Sequence, residues 1–359
     1  MNKKLINGIQ QIGVGVDDAD RAFKWYAVVM GADIPVFEDS NEATYMAPYM
    51  GGTSHKKKAI LAINLQGGGG YEHWQYLDRQ SAFPSKTVRM GDFGITVAAV
   101  KSQNIERSFQ RMQELGVTLL SDIVTCPDQK RCFYVQDPWC NIVQVKESSD
   151  WFLKGKNDVG GVFGCIIGVS DIEKSKKLYS DILEYDQVVY DQTGTFDDLN
   201  GLPNGTGRFR RILLTHSAER KGGFAPLFGR NYIELIQSID DHTPKKIFAE
   251  RYWGDVGFIH LCFDIRNIAA MMQECAEKGF PFKVRSSDSF DMGEANGSWG
   301  YLEDCDGTLI EFVETHKVPI LKKLNWYIRL NKREPQKPLP RWVIKALKFK
   351  RVKIPSLLY

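Results

Sequence analysis

The stretch GDFGITVAAVKSQNIERSFQRMQELGV, beginning at Gly91, returns without a gap as GDVGFIHLCFDIRNIAAMMQECAEKGF from Gly254, an offset of 163 residues. A repeat of this kind restricts the fold more than composition does, because an architecture that suits one half must also suit the other. The match extends downstream, where YVQDPWCNIVQVKE from Tyr134 pairs with YLEDCDGTLIEFVE from Tyr301, and upstream, where YEHWQ from Tyr71 pairs with YIELIQ from Tyr232. Each half divides again: IGVGVDDADRAFKWYAVVMGAD and CIIGVSDIEKSKKLYSDILEYD both read as a strand followed by a helix. The chain therefore holds four strand-helix units.

The helices follow from spacing. Ala19, Ala22, Phe23, Tyr26 and Met30 recur on one helical face, as do Ile172, Leu178, Tyr179, Ile182 and Leu183, and Ser170 with Glu173 forms a predicted capping box. After each helix come apolar runs broken by turn residues, such as KAILAINLQGGGG, RFRRILLTH, RCFYVQD and GSWGYLED. Each unit reads as strand, helix, then about three strands. The GGGG run at Gly67 is followed by no Lys-Ser/Thr and opens no helix, so it is read as a strand connection, not a phosphate loop.

A chain of 359 residues is expected to build two cores. No apolar run approaches the length of a membrane-spanning helix or a secretory signal, which predicts a soluble cytoplasmic protein. Seven cysteines without a C-x-x-C pair predict reduced, mostly packed thiols. Charge is unevenly placed: residues 316 to 359 carry 13 Lys/Arg against one acidic residue, Glu334, a net +12, leaving −9 on the rest.

Four βαβββ modules, with Tyr26 and Tyr179 closing the first helix of each half and D-P-x-C-N or D-C-D-G-T before a final strand, resemble the vicinal oxygen chelate superfamily. That family includes glyoxalase I, methylmalonyl-CoA epimerase, bleomycin-resistance proteins and extradiol dioxygenases. The resemblance covers residues 5 to 316 and implies an α+β chain whose four modules pair into two cupped, incomplete-barrel domains, residues 1–150 and 158–316, followed by a basic, partly helical tail, 317–359.

In such a family a divalent metal sits inside the cup on ligands from the first and last strands of the modules. In the second half those positions are Gly164, Glu234, His260 and Glu311, and in the first half Gln11, Glu72, Val97 and Gln144. Strand alternation places Glu234, His260 and Glu311 each on the same face as its apolar neighbours two residues away. An imidazole with two carboxylates suits Mn, Fe, Co, Ni or Zn, so the predicted metal ligands are His260, Glu311 and Glu234, with Glu311 and Glu234 also the candidate proton carriers. Valine cannot ligate, so the first half is expected to hold no metal and to shape the entrance, with Glu72, Gln11 and Gln144 as polar lining.

The resemblance then implies a metal-dependent lyase or isomerase that chelates two adjacent oxygens of a small molecule and stabilises an enediolate-like oxyanion. One alternative is a mononuclear iron dioxygenase, ring-cleaving or acting on a 2-oxoacid, which would need a second histidine at the metal, with His216 a candidate; another is a metal-free binding protein of the bleomycin-resistance kind. In the tail, residues 320–330 and 341–353 are read as short helices interleaving Trp326, Tyr327, Trp342 and Phe349 with cations. They fit either an anionic membrane surface, at which the protein would be peripheral, or packing on the acidic body or on a second subunit of a homo-oligomer. Nucleic acid is not indicated, for want of a recognised motif.

Overall fold

The computed structural model describes residues 3–155, 157–240, 243–286, 290–292, 295–321 and 326–354. Module one comprises β1 (Leu5–Val16), α1 (Ala19–Val29), β2 (Ile34–Glu42), β3 (Lys56–Ile63) and β4 (Gly70–Tyr76). Module two comprises β5 (Gly94–Ser102), α2 (Ile105–Glu114), β6 (Thr118–Leu119), β7 (Val124–Thr125), β8 (Arg131–Gln136) and β9 (Ile142–Glu147). Module three runs through β10 (Val159–Gly168), α3 (Ile172–Tyr179), β11 (Gln187–Gly194), β12 (Phe209–Thr215), α4 (Ala225–Phe228) and β13 (Tyr232–Ser238). Module four has β14 (Gly257–Arg266), α5 (Ile268–Glu277), β15 (Val284–Arg285), β16 (Phe290–Met292), β17 (Ala295–Glu303) and β18 (Leu309–Leu321), after which come β19 (Trp326–Arg329) and α6 (Arg341–Lys345).

The first helix of each half begins at an aspartate whose carboxylate accepts a free backbone N–H: Asp18 from Arg21 at 2.9 Å and Asp171 from Lys174 at 3.1 Å. The predicted cap at Ser170 is displaced by one residue, because its own N–H donates to Asp306 at 2.8 Å.

The strands form two curled sheets, ordered β15-β17-β18-β14-β1-β4-β3-β2 and β11-β12-β13-β10-β5-β9-β8-β6. Each sheet takes one module from each sequence half: module one joins module four through antiparallel β1 and β14, and module two joins module three through antiparallel β5 and β10. The cups therefore do not coincide with the halves 1–150 and 158–316. What ties modules one and two is packing between sheets: the Tyr26 hydroxyl donates to Asp137 at 2.6 Å, and Tyr179 repeats the contact to Asp304 at 2.9 Å. One buried cluster draws on all four modules, including Tyr26, Val143, Tyr179 and Phe312.

The glycine run crosses between the sheets. Gly68, at φ +105°, donates to Leu227 at 2.8 Å, and a Cβ there would lie 2.6 Å from the Gly161 carbonyl carbon. Only a chain without side chains fits this backbone-to-backbone approach.

In the tail, the helix expected over 320–330 is replaced by strands, because β18 continues to Leu321 and β19 folds back on it. Residues 322 to 325 of that segment, and the side chains of Trp326 and Tyr327, lie outside the described residues. The second expected helix is shorter than 341–353: α6 gives way to a 3₁₀ turn, Ala346–Lys350, and extended chain from Arg351. Leu330, Leu339, Val343 and Ile344 are buried in one cluster with Ile34, Phe152 and Phe228, so these four apolar residues of the tail pack on the body. Among the described residues no helix is long and apolar enough to cross a membrane.

Candidate functional site

The seam between β1 and β14 sets the site. Gly13 stands opposite His260 across β1–β14 and opposite Glu72 across β1–β4, while Glu311 on β18 stands opposite Cys262. The pleat therefore turns His260, Glu72 and Glu311 into one cup. His260 Nε2 lies 3.3 Å from Glu72 Oε2 and 3.2 Å from Glu311 Oε2, and Gln11 Nε2 donates to Glu72 Oε2 at 3.4 Å. The imidazole is fully buried, edge-on to Tyr301 at 5.4 Å and stacked on Trp253 at 6.1 Å.

The two imidazole–carboxylate contacts are close yet poorly aligned as hydrogen bonds. Neither nitrogen of His260, nor Glu311 Oε2, nor Gln11 Oε1 has a well-aligned partner among the described residues, although each is buried. Ligand atoms of Glu72, His260 and Glu311 all lie within 4.8 Å of one another. Three ligand atoms so close together could share one cation. The electrostatics agree. Burial pushes the His260 imidazole down, but the Glu311 and Glu72 carboxylates outweigh it and hold it at about 9. Burial likewise raises Glu311, and His260, Tyr301 and Cys262 bring it below the usual carboxylate value. The site thus prefers a positive charge between two negative ones.

A cavity of about 260 Å³ adjoins this cluster and is lined in part by Gln11, Glu72 and Glu311. Trp74, Trp253, Trp299 and Tyr301 form the surrounding wall, and Leu347 and Lys350 of the tail reach the lining as well.

Of the predicted ligands, His260 and Glu311 come together and Glu234 does not join them. Glu234 sits on β13 in the other sheet, buried against Arg211, whose Nε is 2.5 Å away and whose two terminal nitrogens bond Asp198 at 2.7 and 3.0 Å. A protein cation fills that second cup. Its other positions agree: a Cβ on Gly164 would meet the Tyr232 ring at 2.7 Å, and the Tyr232 hydroxyl donates to Gln144 at 2.8 Å. His216 cannot supply a second histidine, because it follows directly after β12 of that same sheet and its Nδ1 is 2.8 Å from the Ala218 carbonyl.

Glu72 takes the place expected for Glu234, so the first half contributes to the cluster and does more than shape an entrance. The missed signal was chemical sorting: pooling modules one and four collects Gln11, Glu72, His260 and Glu311, whereas modules two and three collect Val97, Gln144, Gly164 and Glu234. His73, beside Glu72, faces the opposite side, stacks on Tyr71 and lies tilted against Tyr26.

With this geometry established, comparison with curated proteins returns no sequence match. The described cups are similar to those of a point variant of glyoxalase I from Zea mays, at 12% identity and a TM-score of 0.52 over 87% of this chain and 92% of that one. A Bacillus subtilis protein described as a candidate dioxygenase matches at 14% identity and a TM-score of 0.53 over 99% of both chains. At these identities the likeness concerns the fold. Models of the Glyoxalase/Bleomycin resistance protein/Dioxygenase superfamily match residues 8–145 and 165–295, together about three quarters of the sequence. On that coverage the chain belongs to the Glyoxalase/Bleomycin resistance protein/Dioxygenase superfamily.

Proposed function

We propose that the protein is a metal-dependent enzyme of lyase or isomerase type, acting at Glu72, His260 and Glu311 on a small molecule with two adjacent oxygens. The observation that carries this reading is the gathering of three ligand atoms within 4.8 Å of one another beside a cavity, two of them, on His260 and Glu311, buried without an aligned partner among the described residues. One imidazole and two carboxylates, with the Gln11 amide beside them, suit Mn, Fe, Co, Ni or Zn. When bound, such an ion would supply Lewis-acid polarisation of both oxygens.

The chain's own residues do the rest. Trp74, Trp299 and Tyr301 exclude water from the cluster and hold a flat or apolar substrate body against the donors. Glu311 is fixed by Tyr301 and Cys262. Glu72, which among the described residues has Gln11 and His260 as its polar partners and is the less buried of the two, is the carboxylate able to take a proton from one substrate carbon and return it to the next. We further propose that residues 1–150 and 158–316 are the units of duplication, each lending one module to this cup.

A dioxygenase with two histidines and one carboxylate has less support, since among the described residues only His260 reaches the cluster. The test is elemental analysis after reconstitution, comparing the parent with Glu72→Ala and His260→Ala. About one divalent ion per chain is expected in the parent and far less in both variants. No ion in the parent, with ligand binding unchanged after chelation, would establish the metal-free binding protein instead.

A further inference from the structure

The outer face of the tail is used by nothing described so far. α6 and the turn after it bury Val343 and Ile344 on the body, yet Trp342 is 58% exposed, Phe349 82% and Val352 39%. Lys345, Lys348 and Lys353 are exposed, alternate with these side chains in sequence and form no ion pair among the described residues, Lys348 Nζ lying 5.2 Å from the Phe349 ring centre, whereas Arg351 is held by Asp33 at 2.9 Å and Arg341 lies over the Phe152 ring at 4.3 Å. An exposed indole and phenyl ring cost free energy in water, and three ammonium groups without a carboxylate partner add local positive charge to the same segment. Both costs are relieved by one kind of surface, in which apolar groups enter an acyl boundary while cations meet anionic headgroups. A nucleic-acid backbone would satisfy the lysines and leave Trp342 and Phe349 without a role.

The location adds a second argument. Leu347 and Lys350, on the inner side of the same segment, line the cavity. Whatever surface the outer face of this segment contacts is therefore one segment away from the cavity lining.

We propose that residues 341–353 dock the protein on an anionic lipid surface, with Trp342 and Phe349 entering the interface and the cavity that Leu347 and Lys350 line held beside it. Docking stands independently of the metal chemistry. Its consequence, that the substrate is an amphipathic molecule delivered from the bilayer, rests on the function proposed above and on the mainly apolar and aromatic cavity wall.

The experiment is sedimentation of the full chain with vesicles of phosphatidylserine and phosphatidylcholine against vesicles of phosphatidylcholine alone. Partition onto the anionic vesicles only is expected, weakening as salt rises. Trp342→Ala with Phe349→Ala should lower it by about tenfold, and Lys345→Gln with Lys348→Gln by about fivefold per charge removed. Because all four side chains are exposed, thermal unfolding and metal content should not change, which separates failure of docking from failure of the metal site. A second readout is quenching of tryptophan fluorescence by lipids brominated in the acyl chain, expected in the parent and reduced in Trp342→Phe. Equal partition onto neutral vesicles, or variants that bind like the parent, would overturn the proposal. So would competition by duplex DNA that is equally strong with and without Trp342 and Phe349.

Discussion

Gly13 lies opposite His260 across the β1–β14 ladder, and a Cβ on it would fall 2.3 Å from the imidazole Cε1. The glycine is the floor on which the ring rests. Gly13→Ala should force the ring out of the cup and lower affinity for a divalent ion by more than about tenfold, in the range seen when a ligand's support is disturbed. Titration calorimetry with Mn or Zn checks this, and affinity equal to the parent's would remove His260 from the proposed ligand set.

Glu72 and Glu234 occupy equivalent positions in the two cups and should respond oppositely to the same change. Glu72→Gln is expected to lose bound metal and keep its stability. Glu234→Gln should keep the metal and lose about 3–5 kcal/mol, because the buried Arg211 would retain only Asp198. Metal content and urea midpoints measured on both variants decide the matter, and metal loss in Glu234→Gln would return that residue to the site.

His73 gives the fold an acid sensitivity that is separate from the metal site. Burial pushes its imidazole down to about 3, from an ordinary value of 6.5, and neither nitrogen has a partner among the described residues. The unfolded chain thus binds a proton that the fold refuses. The stability gained by keeping the ring neutral is complete above about pH 6.5 and is lost as pH falls toward 3. Between pH 7 and 5 the loss is about 2 kcal/mol, and His216, pushed down to about 4 chiefly by burial, adds in the same direction. His73→Phe should flatten that slope in urea titrations at the two pH values, and an unchanged slope would assign the acid loss elsewhere.

Tyr26 and Tyr179 make the same hydroxyl-to-aspartate contact in the two halves, and each joins modules whose strands lie in different sheets. Replacing either by Phe should cost about 1–3 kcal/mol, the penalty of leaving a buried carboxylate short of a donor. Similar drops in thermal midpoint are expected from the two variants. A loss confined to one would show that the contact joins the modules in only one half.

Much of this was legible in the chain itself, for reasons that are local. Helical spacing placed Tyr26 and Tyr179, alternation put His260 and Glu311 on cup-facing positions, and duplication set four modules, because each depends on residues near one another in sequence. The cap of α3 was missed by one residue because Asp306, distant in sequence, holds the Ser170 N–H. The segment read as a helix over 320–330 is strand because β18 offers an edge for β19 to pair with, which local spacing does not record.

The sequence by itself determined which residues could serve as donors and that one histidine and its carboxylate partners stood on inward-facing strand positions. Only the tertiary structure decided which carboxylate completed the set. That choice rests on the pairing of β1 with β14 and β5 with β10, a contact between strands about 250 and 65 residues apart. Hydrogen bonds across such seams join edges that carry no side-chain code of their own, so Glu72 could be exchanged for Glu234 in the sequence but not in the fold.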